Sequence, residues 1–328
     1  MSRIVITGGN GFIGSHITEY FKDRGETVIH PPSKELDILD KRALTEALRG
    51  ADTVVHNAAK AADWGNFQEF YQTNVLGTRN VLHACLKNQV RQVIMTGSCS
   101  VFGEEHQKAV KNEESPRNSH YSYAFDQVFP CGMNYYRDTK KIAAVKAAGF
   151  AARHGINLTI LHPVWVYGER EFHTGFYEYL QLAKSGLPVI MGSRGNDFHM
   201  VYVKDLAKAY YLVFQAAAKG VTEYIVGDPE TVKMNTVYQL FCREAGFKKP
   251  RNLPKAVIYP PAFAIELWYT LRKKKETPLL TRGRVNMFYD SIGYSTEKIQ
   301  RELGFTCDYS LPEGIARTVK WYKENGYL

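Results

Sequence analysis

The run RIVITGGNGFIG (Arg3 to Gly14) restricts the possible folds of this chain more than any other stretch. A short apolar segment reads as a buried strand. Gly8, Gly11 and Gly14 follow it in the spacing GxxGxxG, and a helical pattern then begins. Strand, glycine turn and helix in that order let the backbone turn tightly and come close to a pyrophosphate. They also present the free N–H groups of a helix N-terminus to an anion. No Lys-Ser or Lys-Thr follows the glycines, which argues against a nucleoside-triphosphate loop. The expected ligand is a dinucleotide lying against Gly8, Gly11, Phe12, Ile13 and Gly14.

The pattern continues along the chain. ETVIH, DTVVHNAA, VRQVIMTGS and INLTILHP read as further strands. The helical stretches between them include a long one from Phe67 to Lys87 and another from Asn134 to His154. Such alternation implies a parallel sheet covered on both faces by right-handed crossovers. The expected fold is α/β: a Rossmann-type doubly wound parallel sheet with a smaller, mostly helical C-terminal substrate lobe. The dinucleotide-binding domain is expected over 1–168 with returning segments at about 189–227, and the substrate lobe over 169–188 and 228–328. In the returning segments LPVIMG and VTEYIVG read as strands. From Asp228 onward short helices and loops are expected, the Pro-containing NLPKAVIYPPAF among them.

Composition narrows the function classes. Forty-two basic against thirty-three acidic residues leave a net charge of +9, which favours anionic ligands or membrane surfaces. No zinc-finger spacing or arginine-rich arm points to nucleic acid. Five scattered cysteines without a CxxC pair argue against a disulfide scaffold or structural zinc, and toward a reducing compartment. His106, His120, His154 and His162 lack metal-ligand spacing, so no metal is expected. The N-terminus has no signal-peptide plan and no run reaches eighteen apolar residues, so a cytoplasmic location is expected. YPPAFAIELWYTLRKKK joins an apolar segment to four bases, Arg272 to Lys275. It reads as a lobe helix with a solvated end, or as one resting on an anionic membrane.

The choice between NAD and NADP turns on the end of the second strand, where a carboxylate normally holds the ribose of NAD. Here HPPSKELD places His30, Ser33 and Lys34, with Glu35 and Asp37 just beyond. The neutral or positive residues favour NADP, while Glu35 and Asp37 keep NAD open, and Asp37 could equally meet the adenine amine. Ile38 completes this wall.

GMNYYRDTKK contains one tyrosine–lysine pair at i,i+4, Tyr136 with Lys140. On a helix the two would project from one face, about 6 Å apart along the axis. Free tyrosine has a pKa near 10, and a nearby ammonium lowers it toward that of a usable acid–base. Several stretches now resemble one family together: TGGNGFIG, HNAA (56–59), NVLGTRNVL (74–82), TGSCSVFG (96–103), Tyr136 with Lys140, and HPVWVYG (162–168). The chain resembles the extended short-chain dehydrogenase/reductases. Residues 58–82, VYVKDLAKAY and LLTRGRVNMFYDSIGYSTEKIQRELGF are similar to the 3β-hydroxysteroid dehydrogenase/isomerase branch, which includes bacterial reductases of lipid ketones.

The resemblance implies hydride transfer between a nicotinamide and a secondary alcohol or ketone, probing first a sterol-like or long-chain 3-oxo/3-hydroxy substrate. It makes Tyr136 the catalytic tyrosine, Lys140 its lysine, and Ser98 the hydroxyl that aligns the substrate oxygen, with Ser100 as nearest rival. It places the cofactor along Ala58, Ala59, Lys60, Asn74, Pro163 and Val164, and implies a homodimer. Two departures stand out. NSHYSYAFDQVFPCG (118–132) lengthens the stretch between Ser98 and Tyr136 and reads as a substrate-facing insertion. FHMVYVKD (198–205) lacks the arginine that nucleotide-sugar enzymes carry ahead of YVxD. A nucleotide-sugar 4-epimerase or reductase is the alternative. Dehydration is disfavoured, because Cys99 and Ser100 stand where dehydratases carry Asp-Glu. Cys99 reads as a packed thiol, and His199 as a surface or structural histidine with substrate contact as the rival role.

Overall fold

The computed structural model describes residues 2–103, 110–173, 175–186, 189–190 and 195–328. The N-terminal half runs β1 (Arg3–Thr7), α1 (Phe12–Lys22), β2 (Thr27–Ile29), α2 (Lys41–Ala47), β3 (Thr53–His56), α3 (Phe67–Phe70), α4 (Thr78–Lys87), β4 (Gln92–Thr96), α5 (Gly132–His154) and β5 (Asn157–Pro163). It continues through β6 (Trp165–Tyr167), α6 (Phe176–Lys184), β7 (Val189–Ile190), β8 (Asp197–Phe198), β9 (Met200–Tyr202), α7 (Val203–Ala216) and β10 (Val221–Val226). The remainder is β11 (Val232–Lys233), α8 (Met234–Ala245), β12 (Arg251–Asn252), α9 (Lys255–Leu271), α10 (Arg282–Tyr289), α11 (Glu297–Leu303) and α12 (Leu311–Glu324).

Six strands form one parallel sheet in the order β10-β5-β4-β3-β1-β2. Successive side chains on β1 point to opposite faces. Ile4 and Ile6 enter one apolar cluster with Ile17 and Phe21 of α1, and Val5 enters the other with Leu44 and Val81. Both faces are therefore buried, which is why these strands are short unbroken apolar runs. The chain reverses direction across the sheet between β1 and β3. A crevice opens there at the carboxyl edge, where open α/β sheets bind ligands. The helices after β10 form the smaller lobe beside that edge.

Three local features depart from the sequence reading. The stretch from Phe67 to Lys87 is helical, but Tyr71–Gly77 widens into a π turn between α3 and α4. Gly77 is needed there, since a Cβ would stand 2.4 Å from Ile38 Cδ1. NLPKAVIYPPAF does not form a loop. α9 runs through Pro260 and Pro261, and it is pinned by Glu266, whose carboxylate receives the Arg282 guanidinium at 2.8 and 3.0 Å. The segment 118–132, read as substrate-facing, packs on the C-terminal lobe, and none of its residues lines the large cavity at the sheet edge. Arg282 donates to the carbonyls of Ala124 and Phe129, and Tyr121 donates to Asp290. Within LPVIMG, Val189–Ile190 is a strand; His106, Thr174 and the other residues of that motif lie outside the described residues.

Candidate active site

The glycine turn has the shape its spacing implies. Gly8 has φ +69°, a conformation that L side chains seldom adopt, and an added Cβ would come 2.8 Å from the Ala58 backbone. At Gly14 a Cβ would stand 2.0 Å from the Gly8 carbonyl, so this glycine lets α1 pack on the loop. Gly11 caps α1 with no side-chain acceptor, leaving the first amides of the helix open toward the crevice. A cavity of about 600 Å³ begins here, walled by Gly8, Gly11, Phe12 and Ile13, while Gly14 lies behind them. A loop in which side chains would collide with backbone, ending at uncapped amides, fits a pyrophosphate.

The cavity then follows the ends of β3, β4 and β5. Ala58, Ala59, Pro163 and Val164 line it, as do Ser98, Tyr136 and Lys140. α5 carries Tyr136 and Lys140 one turn apart. Lys140 is buried and donates to the Thr96 carbonyl at 2.8 Å, and burial lowers its pKa to about 8. Beneath it His56 is neutral: burial, then the Lys140 charge, lowers its pKa to about 3. The His56 ring bridges the hydroxyls of Thr7 (2.8 Å) and Thr78 (2.9 Å), joining β1, β3 and α4.

Ser98 follows β4 and is held from two sides. Its Oγ lies 2.8 Å from Ser100 Oγ and accepts from the Ser100 amide at 3.3 Å. With Ser100 donating, the Ser98 proton is left for a further acceptor in the cavity. The backbone of Ser98 meets His162 Nδ1 at 3.1 Å (carbonyl) and 3.2 Å (amide). The rival serine is thus a partner of Ser98, and both line the cavity.

At the opposite end Ser33, Asp37 and Ile38 contribute to the wall, with Leu36. Lys34 is exposed and is not part of the cavity wall, and His30 is engaged by Asn10 (3.0 Å) and Lys22 (2.9 Å). Two further sequence candidates stand behind the wall. Lys60 pairs with Glu69 at 2.5 Å. Asn74, buried in the π turn, accepts from the Lys60 amide at 2.8 Å and donates to Thr139 at 3.1 Å. They fix the loop after β3 against α5.

The remaining wall was not legible beforehand. Trp165, Phe198, Met287, Phe288 and Ile292 make it largely apolar, and Arg137, His173 and Arg284 add cationic or titratable groups. Arg137 neighbours Tyr136, is buried and donates to Tyr123 at 2.7 Å. Arg284 is paired with Asp63 and, at 2.7 Å, with Glu178. The adjacency of Arg137 to Tyr136 was a usable signal; the pairing of residues 63 and 284 left none in the sequence. His199 is buried in the wall. Both its nitrogens are engaged, by the Asp228 carbonyl (2.7 Å) and the Tyr294 amide (3.1 Å), which gives it a structural role. Among the described residues no cluster suited to a metal occurs.

Comparison with known proteins agrees with this geometry. The chain is 28% identical to a 2-alkyl-3-oxoalkanoate reductase of Stenotrophomonas maltophilia (strain K279a), over 96% of the chain and 98% of that protein. It is 25% identical to an N-acetyl-alpha-D-glucosaminyl-diphospho-ditrans,octacis-undecaprenol 4-epimerase of Escherichia coli O157:H7, over 97% and 95%. The structure of MoeE5 in complex with UDP-glucose and NAD superimposes with a TM-score of 0.77 at 22% identity, over 99% of each chain. Reductase and epimerase relatives both span nearly the whole chain, so the 3β-hydroxysteroid branch is not singled out. The NAD dependent epimerase/dehydratase family model matches residues 4–227, from the first strand of the sheet to its last. The chain belongs to that family, within the extended short-chain dehydrogenase/reductases, and is an NAD(P)-dependent enzyme.

Proposed function

We propose that the enzyme epimerises a sugar carried on a diphosphate, by oxidising one ring hydroxyl and reducing the resulting ketone from its other face. The observation that carries this reading is the convergence of Ser98, Tyr136 and Lys140 on one cavity, which Arg137 and Arg284 also line. Arg284 is already paired with Asp63 and Glu178, and the arginine expected ahead of YVxD is missing, so support for the diphosphate comes from the relatives. The similarity to the E. coli 4-epimerase and to MoeE5 supports the same substrate class.

NAD held along Gly8, Gly11, Ala58 and Pro163 would supply a reversible hydride acceptor. Tyr136 takes the hydroxyl proton and later gives it back, so protons and electrons balance over the cycle. Lys140 holds positive charge beside the reacting oxygen, and Ser98 donates to it. The only carboxylates among the described lining residues are Asp37 and Asp63, and Asp63 is paired with Arg284. Elimination therefore lacks its acid and base, which favours epimerisation over dehydration. We assign NAD over NADP because Lys34, the base expected to meet the extra phosphate, stands outside the wall.

The apolar wall of Trp165, Phe198 and Phe288 favours a second reading, net reduction of a hydrophobic ketone, in keeping with the S. maltophilia reductase. We further infer that the lobe formed by 169–188 and 228–328 supplies the substrate contacts, that the enzyme is a homodimer, and that it works in the cytoplasm, where its five free cysteines stay reduced. The test is incubation with UDP-glucose, UDP-N-acetylglucosamine and a polyprenyl-diphosphate sugar. Epimer formation without net NADH release supports the main reading. Stoichiometric cofactor consumption on a 3-oxoalkanoate, with no epimer from any sugar, would replace it with the second.

A further inference from the structure

Helix α9 turns its charges inward and its apolar side chains outward. It contains two charged residues, and each is engaged: Lys255 with Asp290 at 2.6 Å, Glu266 with Arg282 at 2.8 Å. Its exposed positions include Val257, Pro261, Ile265, Trp268 and Leu271, spaced three or four apart along one stripe. Trp268 is 47% exposed and Leu271 68%. The 118–132 segment extends this face: Phe125 stacks on Phe263 of α9 at 5.4 Å, and Phe125 and Val128 are 66% and 70% exposed.

The stripe ends in Arg272, Lys273, Lys274 and Lys275. Arg272, Lys273 and Lys275 are exposed, and Lys275 is close enough to Glu69 to help Lys60 lower the pKa of that carboxyl. Lys274 lies over the Trp268 ring at 4.3 Å, and Glu276 is the acid that follows. The geometry points to the surface of an anionic lipid bilayer as the partner of this face. An apolar helical stripe with a tryptophan beside a basic run matches a helix lying in the headgroup region. The charge sign agrees with the +9 of the whole chain. A second copy of the chain would bring the same basic run into the contact, whereas anionic headgroups neutralise it. Among the described residues no helix is long and apolar enough to cross a membrane, so the contact is peripheral.

The face adjoins the substrate end of the cavity. Trp64 donates to the Lys274 carbonyl at 3.0 Å, and its neighbour Asp63 lines the cavity against Arg284. Docking would set that end beside the bilayer. The test is flotation of the full chain with phosphatidylcholine vesicles, with and without phosphatidylglycerol. Binding is expected only with phosphatidylglycerol, weakening as salt is raised. Lys273→Gln and Lys275→Gln are each expected to weaken it about fivefold. Trp268→Ser should weaken it too, and wild-type tryptophan emission should shift to the blue on binding. Absence of binding to phosphatidylglycerol vesicles would overturn the proposal. So would a dimer, seen by sedimentation, that Trp268→Ser dissociates while vesicle binding is unchanged.

Discussion

Glu223 accepts a hydrogen bond from His162 Nε2 at 2.9 Å, while the opposite nitrogen of that ring supports the Ser98 backbone. Arg117 completes the brace with contacts of 2.6 and 2.7 Å to the same carboxylate. Burial raises the Glu223 pKa, but His162 and then Arg117 outweigh it and bring it to about 2. The folded pKa is thus depressed. Its stabilisation is complete above the unfolded value, about 4.3, and is lost as pH falls through about 2. Glu223→Gln is expected to remove this acid-range decline in urea titrations. It should also lower kcat roughly 10- to 100-fold by loosening Ser98, with cofactor affinity unchanged. Unaltered kcat would show that the brace does not position Ser98.

The Lys140 pKa is depressed in the same direction, but as a buried cation Lys140 weakens the folded chain at neutral pH, where Glu223 strengthens it. The folded Lys140 pKa of about 8 lies below the free value near 10.4, so between those values the unfolded chain binds more protons and stability rises with pH. Lys140→Met should lack this rise. At neutral pH it should gain up to about 3 kcal/mol, less the lost bond to Thr96, because an ammonium no longer has to be buried. Turnover should fall by at least roughly 100-fold. A variant that is both less stable at neutral pH and still active would contradict the assignment.

Tyr136→Phe removes only a hydroxyl. The expected loss in kcat is roughly 10²- to 10⁴-fold, with the dinucleotide still bound. Fluorescence titration of NADH beside steady-state rates separates the two effects. Near-wild-type turnover would remove Tyr136 from the proton path.

Lys34→Ala tests the cofactor assignment. Lys34 lies outside the cavity wall, so the substitution should leave NADH and NADPH affinities within about twofold of wild type. A selective loss of NADPH binding, with NADPH the tighter ligand beforehand, would restore the NADP reading.

What was legible in the sequence follows from how local each feature is. The glycine turn, the strand–helix alternation and the Tyr136–Lys140 spacing are set by neighbouring residues, and they recur in the structure where the sequence placed them. The helical run through Pro260 and Pro261 was not legible, because the Glu266–Arg282 pair that anchors it joins separate helices. The π turn around Asn74 was hidden similarly. There Gly77 packs closely against Ile38, a contact between a helix and a distant loop. The end of the cavity at Asp63 and Arg284 is the least local part, since these two residues meet only after the lobe has folded onto the sheet.

Trp165 marks where that end should grip its ligand. Its indole Nε1 is buried without a partner among the described residues, although the side chain lines the cavity. The ring packs against Phe198 at 5.4 Å and Phe288 at 6.3 Å, so the N–H is held in apolar surroundings. An unmet donor of this kind costs about 1–3 kcal/mol, which a ligand oxygen would recover if binding turned the indole toward the cavity. Trp165→Phe keeps an aromatic ring and deletes the donor. Stability should hold or rise slightly, while KM for the substrate rises roughly 10-fold and kcat stays within about twofold. Thermal unfolding and initial-rate measurements on the same preparation decide it. An unchanged KM would mean that the substrate does not reach this nitrogen.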